Sequence, residues 1–380
     1  MIIVIVSQYI IKRKGAISMI FVPTDELKVG MRLAKPIYNK NGVLLYERNT
    51  KLTLQGIYSV KNFGLIGLYI LEPAEPVPPM SPEDVEFERF QTMAVFSIKD
   101  DLKAIKAGEK PAELMVLANQ ILRAYGSLEH KINFTQNLRS QEDYVYKHAL
   151  NVGILAALMS HKLHVDSAEQ MNIIVAALLY DVGRLFLPTK MQNKTDDFSS
   201  EEFQMYRKAQ LDGFNIINDN IDINVSVKRL VKGCQQDYDY KDPTTANIPW
   251  GVRVIQVAHY YDVSTAMNLY EEPRSEVQVI RSLLDHSQNF DSTVVTALLD
   301  SINILSPGVC VELTNRERGL VIRENSKNPL QPIVLSFDKN QVYDLSSERA
   351  AATLQIKDLM KTMDNRIVVD ESTLQEYLNQ

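Results

Sequence analysis

The spacing of apolar positions changes character along the chain. From Met19 to about Leu71 it is that of strands: Met31, Leu33, Ile37 and Tyr38, then an Asn41-Gly42 hairpin turn before Val43-Leu44-Leu45. LTLQGIYSVKNFG predicts a short helix with Leu52, Leu54, Ile57 and Val60 on one side, and LIGLYIL a closing strand. The stretch Glu72 to Asp84 carries five prolines and no period, as a semi-extended linker does. At its end Ser81-Pro82-Glu83-Asp84 predicts an N-cap, a first-turn proline and acids at a helix start.

From residue 85 to about 304 the period is helical. Val145, His148, Ala149, Val152, Leu155, Ala156 and Met159 form an i, i+3/i+4 stripe between Tyr144 and Leu163. Ser167 is expected to cap a second helix, through Met171, Ile174, Ala177 and Leu178, that delivers Tyr180 and Asp181. Further helices are expected over about Ser200–Asn218, Val227–Lys232 and Pro249–Tyr270, and in DSTVVTALLDSINIL. After Pro307-Gly308 the period falls to two: VCVEL, GLVIR and PIVLSF read as short strands separated by NRERG and ENSKNP. The tail from about Ser346 mixes a polar helix with strand-like RIVV and has no assigned place.

The expected organisation is therefore mainly α. An N-terminal extension, 1–18, is expected as a weakly ordered tail; a small α+β module spans 19–71 and a Pro-rich linker 72–84. The helical domain runs over 85–345 with a β appendage from about 307, and a tail covers 346–380. Net charge of −6 disfavours nucleic acid or an anionic membrane as main partner, because both reward clustered Lys and Arg. The opening run IIVIV is only five residues long and its basic cluster Lys12-Arg13-Lys14 follows it, so no membrane span and no secretory signal is read there. Cys234 and Cys310 form no CxxC, which argues against a disulfide framework and fits a reducing cytoplasm.

Chemistry concentrates in AALLYDVGRLFLP, Ala176 to Pro188. Together with YVYKHALNVG, VRVIQVAHYYDVSTA, the terminal helix and the alternating strands that follow, it resembles the HD-GYP family, bacterial metal-dependent hydrolases of cyclic di-GMP within the HD superfamily. The resemblance covers about Asp143 to Ser336, and VPTDELKVGMRLAKPIYNKNGVLLYERNTKLT resembles modules that often precede such domains. It implies an HD-superfamily helical bundle. It also implies a cluster of His and carboxylate ligands, from several helices, that lowers the pKa of a metal-bound water and neutralises phosphodiester charge.

Position by position, the resemblance implies that His148 is the first ligand and Asp181 the bridging aspartate. The expected histidine before it is Tyr180, whose neutral phenol is a poor donor at neutral pH. The histidine of a His-Pro pair falls at Ala209, followed by Gln210, and the paired histidines fall at Cys234 and Gln235. The late aspartate is His259, while the nearby Asp262 matches a residue that is more often structural. Tyr240-Lys241-Asp242-Pro243 stands in place of the GYP loop, and Arg184, in place of a lysine, is the candidate phosphate contact.

What this leaves is a candidate vestigial centre of His148, Asp181 and His259 with Cys234, holding at most one divalent metal (Fe, Mn, Ni or Zn). The leading expectation is a degenerate HD-GYP-like protein in cyclic di-GMP-related signalling, binding that nucleotide or another, or signalling proteins. The alternative is a weak or altered metal-dependent phosphodiesterase.

A plainer reading stands beside it. His148 and His259 are then interior histidines, Asp181 caps a turn or pairs with Arg184, and Cys234 is a buried thiol. Tyr180 fills the space of the missing imidazole with its hydroxyl on Asp181 or His148. Arg253 is expected to pair with a buried carboxylate, and His130, His161, His164 and His286 to be surface or packing residues.

Overall fold

A computed structural model describes residues 18–38, 43–63, 65, 67–72, 81–195, 198–236, 248–267, 273–286, 288–325, 328–336, 339 and 341–360. Residues 1–17, Asn41-Gly42, most of the Pro-rich linker, Tyr240 to Pro243 and RIVV lie outside the described residues.

In the N-terminal module, β1 (Ser18–Pro23), β5 (Gly67–Glu72) and β2 (Arg32–Leu33) form an antiparallel sheet in the order β1-β5-β2, and β3 (Ile37–Tyr38) pairs with β4 (Leu44–Tyr46). Helix α1 (Leu54–Asn62) starts where the Thr53 hydroxyl accepts the amide of Gly56, and buries Ile57 and Val60 against Leu33, Leu68 and Ile70.

Helix α2 (Pro82–Lys106) begins as its sequence predicts: Ser81 Oγ accepts the Asp84 amide and Pro82 occupies the first turn. Helices α3 (Leu114–Tyr125), α4 (Tyr144–Lys162) and α5 (Ser167–Leu179) follow. Helix α4 is buried on almost every side, which its nearly uninterrupted apolar composition requires, and it forms the axis of the bundle. The cap of α5 is Asp166 rather than Ser167, because the carboxylate reaches the amides of both Ala168 and Glu169 at 3.0 Å.

A 3-10 turn (Val182–Phe186) and the short α6 (Thr189–Gln192) lead to α7 (Ser200–Asn220), opened by a Ser199/Glu202 capping box. Helices α8 (Val225–Gly233), α9 (Trp250–Thr265), α10 (Glu276–Asp285) and α11 (Ser292–Leu299) complete the bundle.

The appendage is larger than expected. Strands β6 (Cys310–Leu313), β7 (Arg318–Arg323) and β8 (Ile333–Ser336) are joined by β9 (Val342–Asp344), then, past the short α12 (Glu348–Ala351), by β10 (Ile356–Leu359), in the order β10-β6-β7-β8-β9. The boundary drawn at residue 345 therefore cuts this sheet: backbone pairing with β6 places Ile356–Leu359 at its edge. Val311, Leu313, Val321, Val334 and Ile356 join the core of the bundle, so sheet and helices share one interior. The fold is mainly α, an HD-type helical bundle with these β additions. No helix among the described residues is long and apolar enough to cross a membrane.

Candidate functional site

Four elements converge on one buried point. Helix α4 carries His148, the C-terminal end of α5 presents Tyr180 and Asp181, the 3-10 turn adds Arg184, and α9 contributes His259 and Asp262 one helical turn apart. His148, Asp181, Arg184 and Asp262 are each at most 4% exposed, so every charge here needs a partner inside the protein.

Asp262 is the electrostatic anchor. Its carboxylate accepts from Arg139 Nη2 at 2.6 and 2.8 Å, from Asn151 Nδ2 at 2.8 Å and from Gln136 Nε2 at 3.1 Å. Burial alone raises its pKa, but Arg139 and His148 outweigh that and hold it below the ordinary aspartate range. The ionised Asp262 therefore accepts a hydrogen bond from His148 Nδ1–H, 2.6 Å away, which leaves the lone pair on Nε2.

That lone pair faces Tyr180. The phenol oxygen lies 2.7 Å from His148 Nε2 and 2.7 Å from His259 Nδ1, while the two imidazole nitrogens are 3.1 Å apart. Burial first, then Asp181, pushes the phenol well above its ordinary pKa, so it keeps its proton and donates it to Nε2. The consistent assignment has His259 Nδ1–H donating to the phenol oxygen. Desolvation, followed by the neighbouring His148, holds the His259 imidazole neutral, with its pKa lowered to about 3.

Asp181 is occupied from the other side. Arg184 Nε donates to its Oδ2 at 2.5 Å and Gln210 Nε2 to its Oδ1 at 2.6 Å, while His148 Nε2 stands off at 3.7 Å. The same guanidinium donates to the carbonyls of Gln192 and Lys194 and packs over the Tyr206 ring. Arg184 thus points inward, as the counter-ion of Asp181.

His148, Asp181 and His259 can hold a metal ion, since one ligand atom from each lies within 4.8 Å of the others. The 3.1 Å between the imidazole nitrogens is close to the roughly 3.3 Å that two tetrahedral donors on one first-row cation require. The fit is incomplete, because Tyr180 hydrogen-bonds to the two imidazole nitrogens and Arg184 already neutralises Asp181.

Cys234 does not join that group; it is the C-cap residue of α8, its thiol pushed up first by burial and then by Asp181. Gln235 Nε2 instead donates to the carbonyl of Gln210 at 2.9 Å, tying the end of α8 to α7, and Ala209 packs with Leu187 and Met191. Arg253 pairs with Asp291 at 2.6 Å, away from this centre. His161 meets Glu129 at 3.0 Å near the surface.

Several residues that the sequence did not single out complete the network: Arg139, Gln136, Asn151 and Gln91, whose Nε2 donates to Asn151 Oδ1 at 3.0 Å. Asn151 and Gln91 had a readable signal, an amide on an otherwise apolar helical stripe. Arg139 lies in an aperiodic segment and had none.

Residues 133–294 match the HD domain family. Among curated proteins the chain is similar to the cyclic di-GMP phosphodiesterase PA4108 of Pseudomonas aeruginosa, 23% identical over 209 residues, 53% of this chain and 49% of that protein. It is also similar to the cyclic di-GMP phosphodiesterase PdeB of Borreliella burgdorferi, 22% identical over 218 residues, 56% of this chain and 57% of that protein. The matches thus span only about half the length of these relatives. Among solved structures, Bd1817, an HDG"Y"P protein from Bdellovibrio bacteriovorus, aligns with a TM-score of 0.48 at 14% identity, over 74% of this chain and 98% of that one. The chain carries an HD domain and is an HD-GYP-like protein.

Proposed function

We propose that this chain is a degenerate member of its lineage: a protein of cyclic di-GMP-related signalling that keeps the helical scaffold and does not hydrolyse phosphodiesters efficiently. The observation that carries the reading is the Tyr180 hydroxyl held between His148 Nε2 and His259 Nδ1, with Asp181 already neutralised by Arg184. Hydrolysis by paired cations needs several open lone pairs around a bridging carboxylate. Here a phenol proton and a guanidinium take those places, and Ala209 and Gln235 add no imidazole. The scaffold does not depend on those donors, because the apolar stripes of α4, α5 and α9 hold it together.

The test combines elemental analysis for Mn, Fe, Ni and Zn with turnover of cyclic di-GMP, with and without added metal. The expected result is no stoichiometric metal pair and no turnover above buffer. Two tightly held ions per chain, with turnover abolished by Asp181→Ala, would overturn the reading. Calorimetry with cyclic di-GMP then divides two roles: binding without turnover supports a nucleotide sensor, and no binding at high micromolar concentration supports a protein-interaction scaffold. Because Arg184 is committed inward, the scaffold role is favoured.

The enzymatic alternative is a single-metal phosphohydrolase at His148, Asp181 and His259, favoured by the proximity of their ligand atoms. It requires Tyr180 to swing away when metal enters.

A further inference from the structure

Away from this centre, a cavity of about 400 Å³ lies between the N-terminal module, α2 and the segment leading into α4. None of His148, Asp181, His259 and Cys234 lines it. Glu88, Gln91, Thr92, Val95, Phe96 and Lys99 border it at the i, i+3/i+4 spacing of one face of α2, so the Glu88 side chain leaves the helix on the cavity side. The N-terminal module contributes Lys35, whose Nζ donates to the carbonyl of Gln136 at 2.8 Å. Gln136 is itself part of the lining, which fixes the ammonium there.

Both charges are incompletely met. Among the described residues the Glu88 carboxylate accepts no hydrogen bond and forms no ion pair, and its oxygens keep accessible surface. Lys35 has that one carbonyl as acceptor and the Tyr69 ring at 5.3 Å, and no carboxylate pairs with it. Glu88 and Lys35 are each other's strongest charged neighbour, yet they do not meet as an ion pair, which leaves room between them. Burial, working against that mutual attraction, holds the ammonium below its ordinary range and the carboxyl above its own. This is the signature of ionisable groups that lack both water and a close counter-ion.

The remaining charges on the lining are committed or remote. Lys147 pairs with Asp143 at 2.7 Å, Glu142 is exposed, and Lys99 lies over the Tyr146 ring, about three turns along α2 from Glu88. Much of the rest is apolar or aromatic, including Tyr38, Phe63, Phe96, Ile37, Leu65 and Leu138. A ligand with only negative charge would face Glu88, and one with only positive charge would face Lys35. One carbon bearing an ammonium and a carboxylate answers both, and its side chain is left for the apolar wall. The volume lies at the lower end of the roughly 300–1,000 Å³ typical of ligand sites, which suits one ring on such a head.

We propose that this cavity binds a free α-amino acid with an aromatic side chain, its carboxylate on Lys35, its ammonium on Glu88 and its ring among Tyr38, Phe63 and Phe96. L-Phenylalanine is the probe. Phenethylamine, which lacks the carboxylate, and hydrocinnamate, which lacks the ammonium, are its matched controls. Calorimetry on the full chain is expected to show saturable binding of L-phenylalanine at one site, with each control weaker by about tenfold or more, since one lost charge-assisted hydrogen bond costs that much. Glu88→Gln should weaken L-phenylalanine similarly and leave hydrocinnamate no weaker. Lys35→Met should weaken L-phenylalanine and leave phenethylamine no weaker. If Lys35→Met does not fold, Glu88→Gln and the two controls on the unaltered chain still decide the matter. No saturation up to about 1 mM L-phenylalanine would overturn the proposal. So would a control that binds as tightly as L-phenylalanine, or L-phenylalanine binding that either folded variant leaves unchanged.

Discussion

The phenol oxygen of Tyr180 sits 2.7 Å from Nε2 of His148, on the lone pair that the Asp262 contact leaves free. A histidine braced by a carboxylate through one nitrogen is prepared to offer the other to a cation. Here that brace survives and the offer is taken up by a proton. His148 Nε2 is thereby one corner of a hydrogen-bond triangle with Tyr180 and His259.

Tyr180→His should consequently raise affinity for a divalent cation. It removes the competing hydroxyl and adds an imidazole beside Asp181. An increase of at least about tenfold is expected, since loss of a mere supporting contact at a metal site costs 10–100-fold. Metal content after dialysis against a weak chelator, compared between the two proteins, measures it. Cyclic di-GMP turnover is expected to remain absent, because Ala209 and Gln235 still supply no donor. Equal metal content in both proteins would contradict the role given to Tyr180.

The His259 imidazole should not titrate between pH 8 and pH 5, because desolvation and His148 lower its pKa to about 3. Histidine carbon–proton spectra across that range report it directly; a midpoint near 6.5 for His259 would refute the packing described. The sign of the stability effect follows. The unfolded chain takes up this proton near pH 6.5 and the folded chain only near pH 3. Acid therefore destabilises the protein in that interval, and above it the histidine imposes no penalty.

Much of the scaffold was legible in the sequence, and the reason is periodicity. The stripes of α4 and α11, the Ser81 cap with Pro82, and the strands of VCVEL and GLVIR all announce themselves because burial imposes a spacing. β9 and β10 did not, since strands of three and four residues carry too few alternations to stand out. Within the centre, His148, Asp181 and His259 were found through the resemblance, and the structure brings their ligand atoms together. Cys234 was placed through the same resemblance, at the position of a paired histidine, and the structure puts it at the C-cap of α8, outside that group. Arg139, which neutralises Asp262, comes from a segment without period and becomes visible only in three dimensions.

Removing Asp262 should be far more damaging than removing His148 or His259, neither of which is the counter-ion of a buried arginine. Asp262→Ala leaves Arg139, wholly buried, without its counter-ion, and breaking such a pair costs about 3–5 kcal/mol. Asp262→Asn keeps the shape and some hydrogen bonds and should cost less. Because Arg139 and His148 hold the carboxyl below the ordinary value of 3.8, the stabilisation is complete above that pH and is lost as pH falls further. The gap between wild type and Asp262→Asn in urea melts should accordingly narrow below about pH 4. A gap independent of pH would mean that the carboxylate charge contributes nothing.

Helix α7 reaches Asp181 only because two glycines meet. A Cβ on Gly213 would lie 2.7 Å from both the Cα and the N of Gly183, and one on Gly183 would lie 2.6 Å from the Ala209 carbonyl oxygen. These are backbone atoms, so no side-chain rotation relieves the clash. In an ordinary helix, Gly→Ala gains roughly 0.5–1 kcal/mol from reduced backbone entropy. Here overpacking of about 1–3 kcal/mol outweighs that gain, and Gly213→Ala is expected to lower stability. The displacement would also draw Gln210 away from the Asp181 oxygen it holds at 2.6 Å, leaving Arg184 as the main partner of that carboxylate. Urea denaturation measures the first effect and the side-chain amide resonances of Gln210 the second. A stabilised Gly213→Ala protein with unshifted Gln210 resonances would show that the helix and the Asp181 turn do not touch.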